Sequence, residues 1–100
     1  MSSIEIDWLP LGSVVILKDL DLPVMVHGRF QRELESNQVY EYVGCLYPVG
    51  STDGKSGILF NGDSILHVVF LGYRDQAELA FVGKLSEMAG DRGRGGEDIG

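Results

Sequence analysis

The sequence predicts a small α+β protein, mainly β. The expected architecture is a small antiparallel β-barrel or curled sheet of about five strands, SH3-like in size, with one C-terminal helix. Three observations predict it. The chain has 100 residues, enough for one core that buries roughly two-thirds of the unfolded surface. Short β-branched and aromatic runs alternate with turn signals along most of it. Beyond Gly72 the apolar period changes to helical spacing.

Each element follows in order. Pro10 and Gly12 lead into Ser13–Lys18, where Val14, Val15 and Ile16 favour a strand. This run is continuously apolar, so both of its faces are expected to be covered. Asp19-Leu20-Asp21-Leu22-Pro23 reads as a turn. Val24 to Gln31 alternates, with Val24, Val26, Gly28 and Phe30 on one face and Met25, His27, Arg29 and Gln31 on the other. The polar stretch Arg32–Gln38 is a hairpin loop, and Val39–Tyr47 is the next strand. Gly44 inside it marks a bulge or a close backbone approach. Pro48–Gly57 is a loop and Ile58-Leu59-Phe60 a short strand. Asn61-Gly62 then signals a hairpin, because the pair tolerates positive φ. Ile65–Leu71 is apolar apart from His67 and reads as a central strand.

Asp75 with Glu78 three residues later fits a capping box. Ala77, Phe81, Leu85 and Met88 form one apolar stripe behind it, which predicts a helix over 75–89. Residues 1–89 thus make a single domain. Residues 90–100, with five glycines, are expected to be a flexible tail.

Composition excludes several chemistries. The formal net charge is -7, whereas a phosphate-backbone partner requires a basic face. A single cysteine leaves no disulfide framework and no multi-cysteine zinc site. No apolar run approaches the ~18 residues of a membrane span, and no basic start precedes an apolar segment. The expected location is cytoplasmic, away from membranes and nucleic acid.

No constellation points to catalysis. Gly50-Ser51-Thr52-Asp53-Gly54-Lys55-Ser56 resembles a phosphate loop, but it has three residues before Gly-Lys-Ser rather than four. A strand follows it instead of the helix whose N–H groups would hold phosphate. Catalytic zinc needs three protein ligands, so His27 and His67, each in the middle of a different strand, would have to meet with one or two more, and Cys45 is the only thiol. They read as a surface histidine, a packed histidine and a core cysteine. Asp19, Asp21, Glu33 and Glu35 are scattered surface carboxylates, not a catalytic pair. We therefore assign no catalytic residue, no cofactor and no metal. Trp8, Tyr47 and Tyr73 are the candidate partner-binding residues, because aromatics with a polar handle are enriched at interfaces. Trp8 stands out among them because the stretch before Pro10 is expected to be exposed.

A series of segments carries a family resemblance. Leu9-Pro10-Leu11-Gly12-Ser13-Val14-Val15-Ile16-Leu17-Lys18 opens it, and Val24-Met25-Val26-His27-Gly28-Arg29 follows. Tyr42-Val43-Gly44-Cys45-Leu46-Tyr47-Pro48-Val49-Gly50, Phe60-Asn61 and Val69-Phe70-Leu71-Gly72-Tyr73 complete it. Over about residues 9 to 82 this resembles a small Gram-positive bacterial family known as domain of unknown function 4176. The Tyr-Val-Gly-Cys-Leu-Tyr-Pro block is its most specific part.

The resemblance implies a setting beside type VII (ESX-like) secretion genes and LXG-type toxins. It implies a non-enzymatic accessory factor, an adaptor or chaperone that binds such a toxin before export. Capture of an apolar or basic partner segment by an exposed strand edge would serve that role. An immunity protein that blocks the toxin's catalytic domain is the first alternative, and a small enzyme using Cys45 or a His–carboxylate pair is the second. The chain is expected to be a monomer or a homodimer.

Overall fold

The structure, a computed structural model, describes residues 8–52 and 57–99, with side chains up to Ala89. Two compact units emerge. Leu9–Tyr73 contains the whole sheet, and Trp8 belongs with the chain from Arg74 onward.

The sheet has five antiparallel strands: β1 (Val14–Leu17), β2 (Val24–Arg32), β3 (Val39–Leu46), β4 (Ile58–Phe60) and β5 (Ile65–Phe70). Their order is β4-β3-β2-β1-β5. Strands β4 and β5 lie at opposite edges and do not pair among the described residues. The sheet is therefore open, which decides between the two expected forms: it is not closed into a barrel.

The Asn61-Gly62 expectation fails for the same reason. The pair does not join two neighbouring strands; it starts the crossover from one sheet edge to the other. Asn61 has φ −108, outside the left-handed region a tight hairpin would need, and a single 3-10 turn, Gly62–Ser64, follows. Both residues are held by β3 instead. The Glu41 N–H donates to Asn61 Oδ1 at 2.9 Å, and the Gly62 N–H donates to Glu41 Oε1 at 2.6 Å. A reciprocal clasp to Glu41 replaces the turn.

Burial in the sheet follows strand position. Val15 and Leu17 on β1 are buried while Val14 and Ile16 are half-buried, so the continuous apolar run still alternates. Val15 faces Val24 across the β1–β2 ladder, and both are fully buried. Val26, Tyr42, Cys45 and Phe60 extend this core through β2, β3 and β4. The Tyr42 and Phe60 rings stack with centroids 5.4 Å apart.

The simple alternation expected for β2 breaks at His27. Val26 pairs with Gly44 and Gly28 with Val43, leaving His27 as an extra residue. Such a bulge exchanges the faces of everything beyond it. Arg29, expected on the solvated side, is consequently buried, whereas Phe30 is half-buried with φ 58. Gly44 is a close approach, as expected. A Cβ there would lie 2.5 Å from the Met25 carbonyl oxygen and 2.6 Å from Val24 Cγ1. The β2–β3 hairpin loop also forms as expected, with the Glu33 N–H donating to the Gln38 carbonyl at 2.8 Å and Asn37 at φ 63.

In the other unit, α1 spans Gln76–Ile99. Asp75 caps it: the Glu78 N–H donates to Asp75 Oδ1 at 2.9 Å. The helix runs ten residues past the end at 89 that the apolar spacing suggested, so residues 90–99, expected as a glycine-rich tail, are helical in backbone. Elongation adds a hydrogen bond per residue without a new nucleation step, which offsets glycine's weak propensity. The expected apolar stripe is also corrected. Of Ala77, Phe81, Leu85 and Met88 only Leu85 is buried, and the half-buried positions beside it are Glu78, Val82 and Ala89. The inward seam is turned about one residue from the one expected. Phe81, Met88 and Leu79 are left exposed.

Candidate functional site

The outstanding surface of the sheet unit is β5 itself. It was expected to be central, yet it forms an edge strand paired, among the described residues, only with β1. Its neighbours across the ladder are Val14↔Phe70, Val15↔Val68, Ile16↔His67 and Leu17↔Ile65. Leu66 and Val69 have no opposite residue and bulge out of register. The consequence is exposure on both faces. Leu66 is 53%, Val69 61% and Phe70 60% exposed, and Val68 and Leu71 are also classed as exposed. His67, expected to be packed, is at the surface. From Ile65 to Tyr73 the run carries no acidic residue, lysine, arginine or proline.

Gly72 anchors the end of this edge. Its N–H donates to the buried Ser13 hydroxyl at 2.9 Å, and a Cβ would meet the Leu11 carbonyl oxygen. The edge is thus held rigidly at its C-terminal end although its side chains are uncovered. Lys18, directly after the end of β1, donates its N–H to the Ser64 carbonyl at 3.0 Å, just before the start of β5.

A second constellation is buried. The Arg29 guanidinium donates to the Leu9 carbonyl at 3.0 Å, and the Leu9 N–H donates to the Tyr42 hydroxyl at 3.0 Å. Two side chains from β2 and β3 thereby satisfy both polar groups of one residue outside the sheet. Burial raises the Tyr42 pKa above its ordinary value of 10.0, with the Leu9 N–H and the Arg29 charge opposing and Glu41 adding to the rise. These bonds hold the segment that precedes β1, which is a structural task.

A depression of about 190 Å³ lies beside β3 and β4, lined by Gly44, Cys45, Val49, Gly50 and Ile58 among others. Cys45 is buried, as expected for a core thiol. Part of the Gly50–Ser56 loop, residues 53–56, falls outside the described residues. Among the described residues no three His, Cys, Asp or Glu side chains converge to hold a metal ion. No helix of the described residues is long and apolar enough to cross a membrane.

The structure separates the three aromatic candidates. Tyr73 is 79% and Tyr47 50% exposed, on opposite sides of the strand order. Trp8 is only 6% exposed, contrary to the expected open N-terminal stretch, and its carbonyl accepts from Arg74 Nη2 at 3.2 Å. Sequence reasoning passed over Leu66, Val68, Val69 and Phe70 as ordinary core. The available signal was the absence of charge in the run, which a central strand shares.

Fold and surface together define a small α+β domain with an open antiparallel sheet and one uncovered apolar edge. The model of the family described as Domain of unknown function (DUF4176) matches residues 8–81, and the chain belongs to that family. No curated protein and no solved structure matches it.

Proposed function

We propose that the chain is a non-enzymatic protein-binding accessory factor, a cytoplasmic adaptor or chaperone for a type VII-secreted LXG-type toxin. The observation that carries the binding reading is the uncovered apolar edge β5. An edge strand offers a row of backbone N–H and C=O groups, and an extended partner segment adds to it as another strand. Backbone bonds supply affinity, and the exposed Leu66, Val69 and Phe70 supply apolar contacts. Tyr73, near the end of the same run, adds an aromatic with a polar tip. The secretion setting rests on the family resemblance alone.

The net charge of -7 favours encounter with a basic partner. It equally suits an immunity protein facing the basic cleft of a nuclease toxin. Separate halves of an LXG-type toxin decide the matter. Binding to the N-terminal export half supports the adaptor or chaperone, and binding to the C-terminal catalytic half alone supports immunity. Absence of binding to either half at about 10 µM, weaker than roughly −7 kcal/mol, overturns the proposal.

A further inference from the structure

We infer that the segment accepted at β5 is a short apolar strand with lysine or arginine directly after it in sequence, added antiparallel to β5. This rests on the reading of β5 as a partner-binding edge, but not on the partner being a toxin. It names the chemistry of the segment and the direction in which it lies.

The apolar part follows from the edge itself. Edge strands are commonly guarded by charge or proline, and the run from Ile65 to Tyr73 holds no acidic residue, lysine, arginine or proline. The β1–β5 register places Phe70 and His67 on the face of Val14 and Ile16, and Val68 and Ile65 on the face of Val15 and Leu17. Neighbours in a ladder touch sideways, on the face they share. One set of the segment's alternate side chains therefore lies beside the exposed Phe70, and the other beside the exposed Val68. A charge at those positions would lose water without gaining an opposite charge.

The basic part follows from the start of β5, where two hydrogen bonds gather carboxylates. The Gly62 N–H bond to Glu41 Oε1 sets Glu41 beside Asp63. The Lys18 N–H bond to the Ser64 carbonyl brings Asp19, the next residue, to the other side of the same turn. Glu41, Asp63 and Asp19 are all exposed, and Lys18 is the cation that comes with them, so negative charge is in excess. At the far end of the run Leu71, Gly72 and Tyr73 carry no charge near neutrality, and Arg74 and Asp75, which follow in sequence, have opposite signs. A cation on the partner is thus favoured at the start of β5 and not at its end.

The direction follows from the sheet. Each of its ladders is antiparallel, and antiparallel pairs are slightly more stable per residue than parallel ones. An antiparallel segment sets its C-terminal end against the start of β5. Its cations therefore come after the apolar run. A segment with the same residues in reverse order would leave them at the uncharged end.

The test uses the full chain and three dye-labelled peptides with blocked termini, followed by fluorescence anisotropy up to about 500 µM chain. The first peptide is Val-Ile-Val-Thr-Val-Lys-Lys. The second, Lys-Lys-Val-Thr-Val-Ile-Val, has the same composition and charge in reverse order. The third replaces both lysines of the first by glutamate. The first is expected to bind at least about threefold more tightly than the second, and the third more weakly than either. The double substitution Asp19→Asn and Asp63→Asn is expected to remove the preference for order while the folded circular dichroism is retained. Glu41 is left in place because it holds Gly62. In hydrogen exchange on the unmodified chain, the amides of Leu66–Phe70 that point away from β1 are expected to gain protection with the first peptide. Equal affinity for the two lysine peptides overturns the inference, as does a preference that the doubly substituted chain keeps in full. Protection outside β5 alone, or no binding of any peptide at about 500 µM, also overturns it. A preference for the first peptide in a chain that binds neither toxin half supports the inference while the toxin reading falls. A toxin half bound without any preference among the peptides overturns the inference and leaves the toxin reading standing.

Discussion

Strands β2 and β5 are both rich in valine and aromatics, and their fates are opposite. Val24 and Val26 on β2 are fully buried, while Val68 and Val69 on β5 are 43% and 61% exposed. Composition does not account for the difference. Strand β2 lies between β3 and β1, so neighbours cover it on both sides along the hydrogen-bonding direction. Strand β5 has β1 on one side and, among the described residues, no strand on the other. An apolar run is thus a core strand or an exposed edge according to its place in the strand order.

Five substitutions probe the molecule, beginning with the largest effect. Gly44→Ala forces a Cβ against the Met25 backbone and Val24, neither of which can yield cheaply. Overpacking of this kind is expected to cost about 3 kcal/mol, read as a lowered denaturation midpoint. Next, Val26→Ala removes buried methyls and is expected to cost about 2 kcal/mol. Val69→Ala, the same change on β5, should stay within about 0.5 kcal/mol in dilute solution. Equal losses at the two valines would break the comparison, because they would mean that β5 is covered in the single chain.

Tyr42→Phe leaves the buried Leu9 N–H without its acceptor and is expected to cost about 1–2 kcal/mol. Its pH signature is separate. Because Tyr42 ionises less readily in the folded protein, the folded state holds this proton more tightly than the unfolded chain. Its contribution is therefore complete below 10.0 and falls as pH rises through the higher folded value. Urea midpoints measured into the alkaline range should decline more steeply for the unmodified chain than for Tyr42→Phe. An effect of about 1 kcal/mol is expected for Asp75→Ala, which removes the α1 cap. Loss of helical circular dichroism with an intact sheet signal would register it.

Much of the fold was legible in the residues. The β-branched runs at 14–17, 24–32 and 39–46, the glycine at 44 and the Asp75 cap all announced themselves, because each depends on local geometry or on contact with a sequential neighbour. The candidate site was not legible in the same way. Ile65–Phe70 has the pattern of a buried strand, and Asn61-Gly62 has the pattern of a tight hairpin. Had that hairpin formed, β5 would have paired with β4. The Glu41 clasp and the crossover send it to β1 instead. His27 likewise looks like one more alternating residue, yet as a bulge it carries Arg29 into the interior.

The amino-acid sequence by itself determined the element types, the helix start and the net acidic charge. Those properties reside in single residues and short spacings, where backbone sterics, side-chain shape and formal charge act directly. Only the tertiary structure decided that the sheet is open, that β5 is its edge, and that Arg29 is buried while Phe70 is exposed. Burial depends on what lies beside a strand, and a strand's hydrophobic pattern is the same whether or not a neighbour arrives.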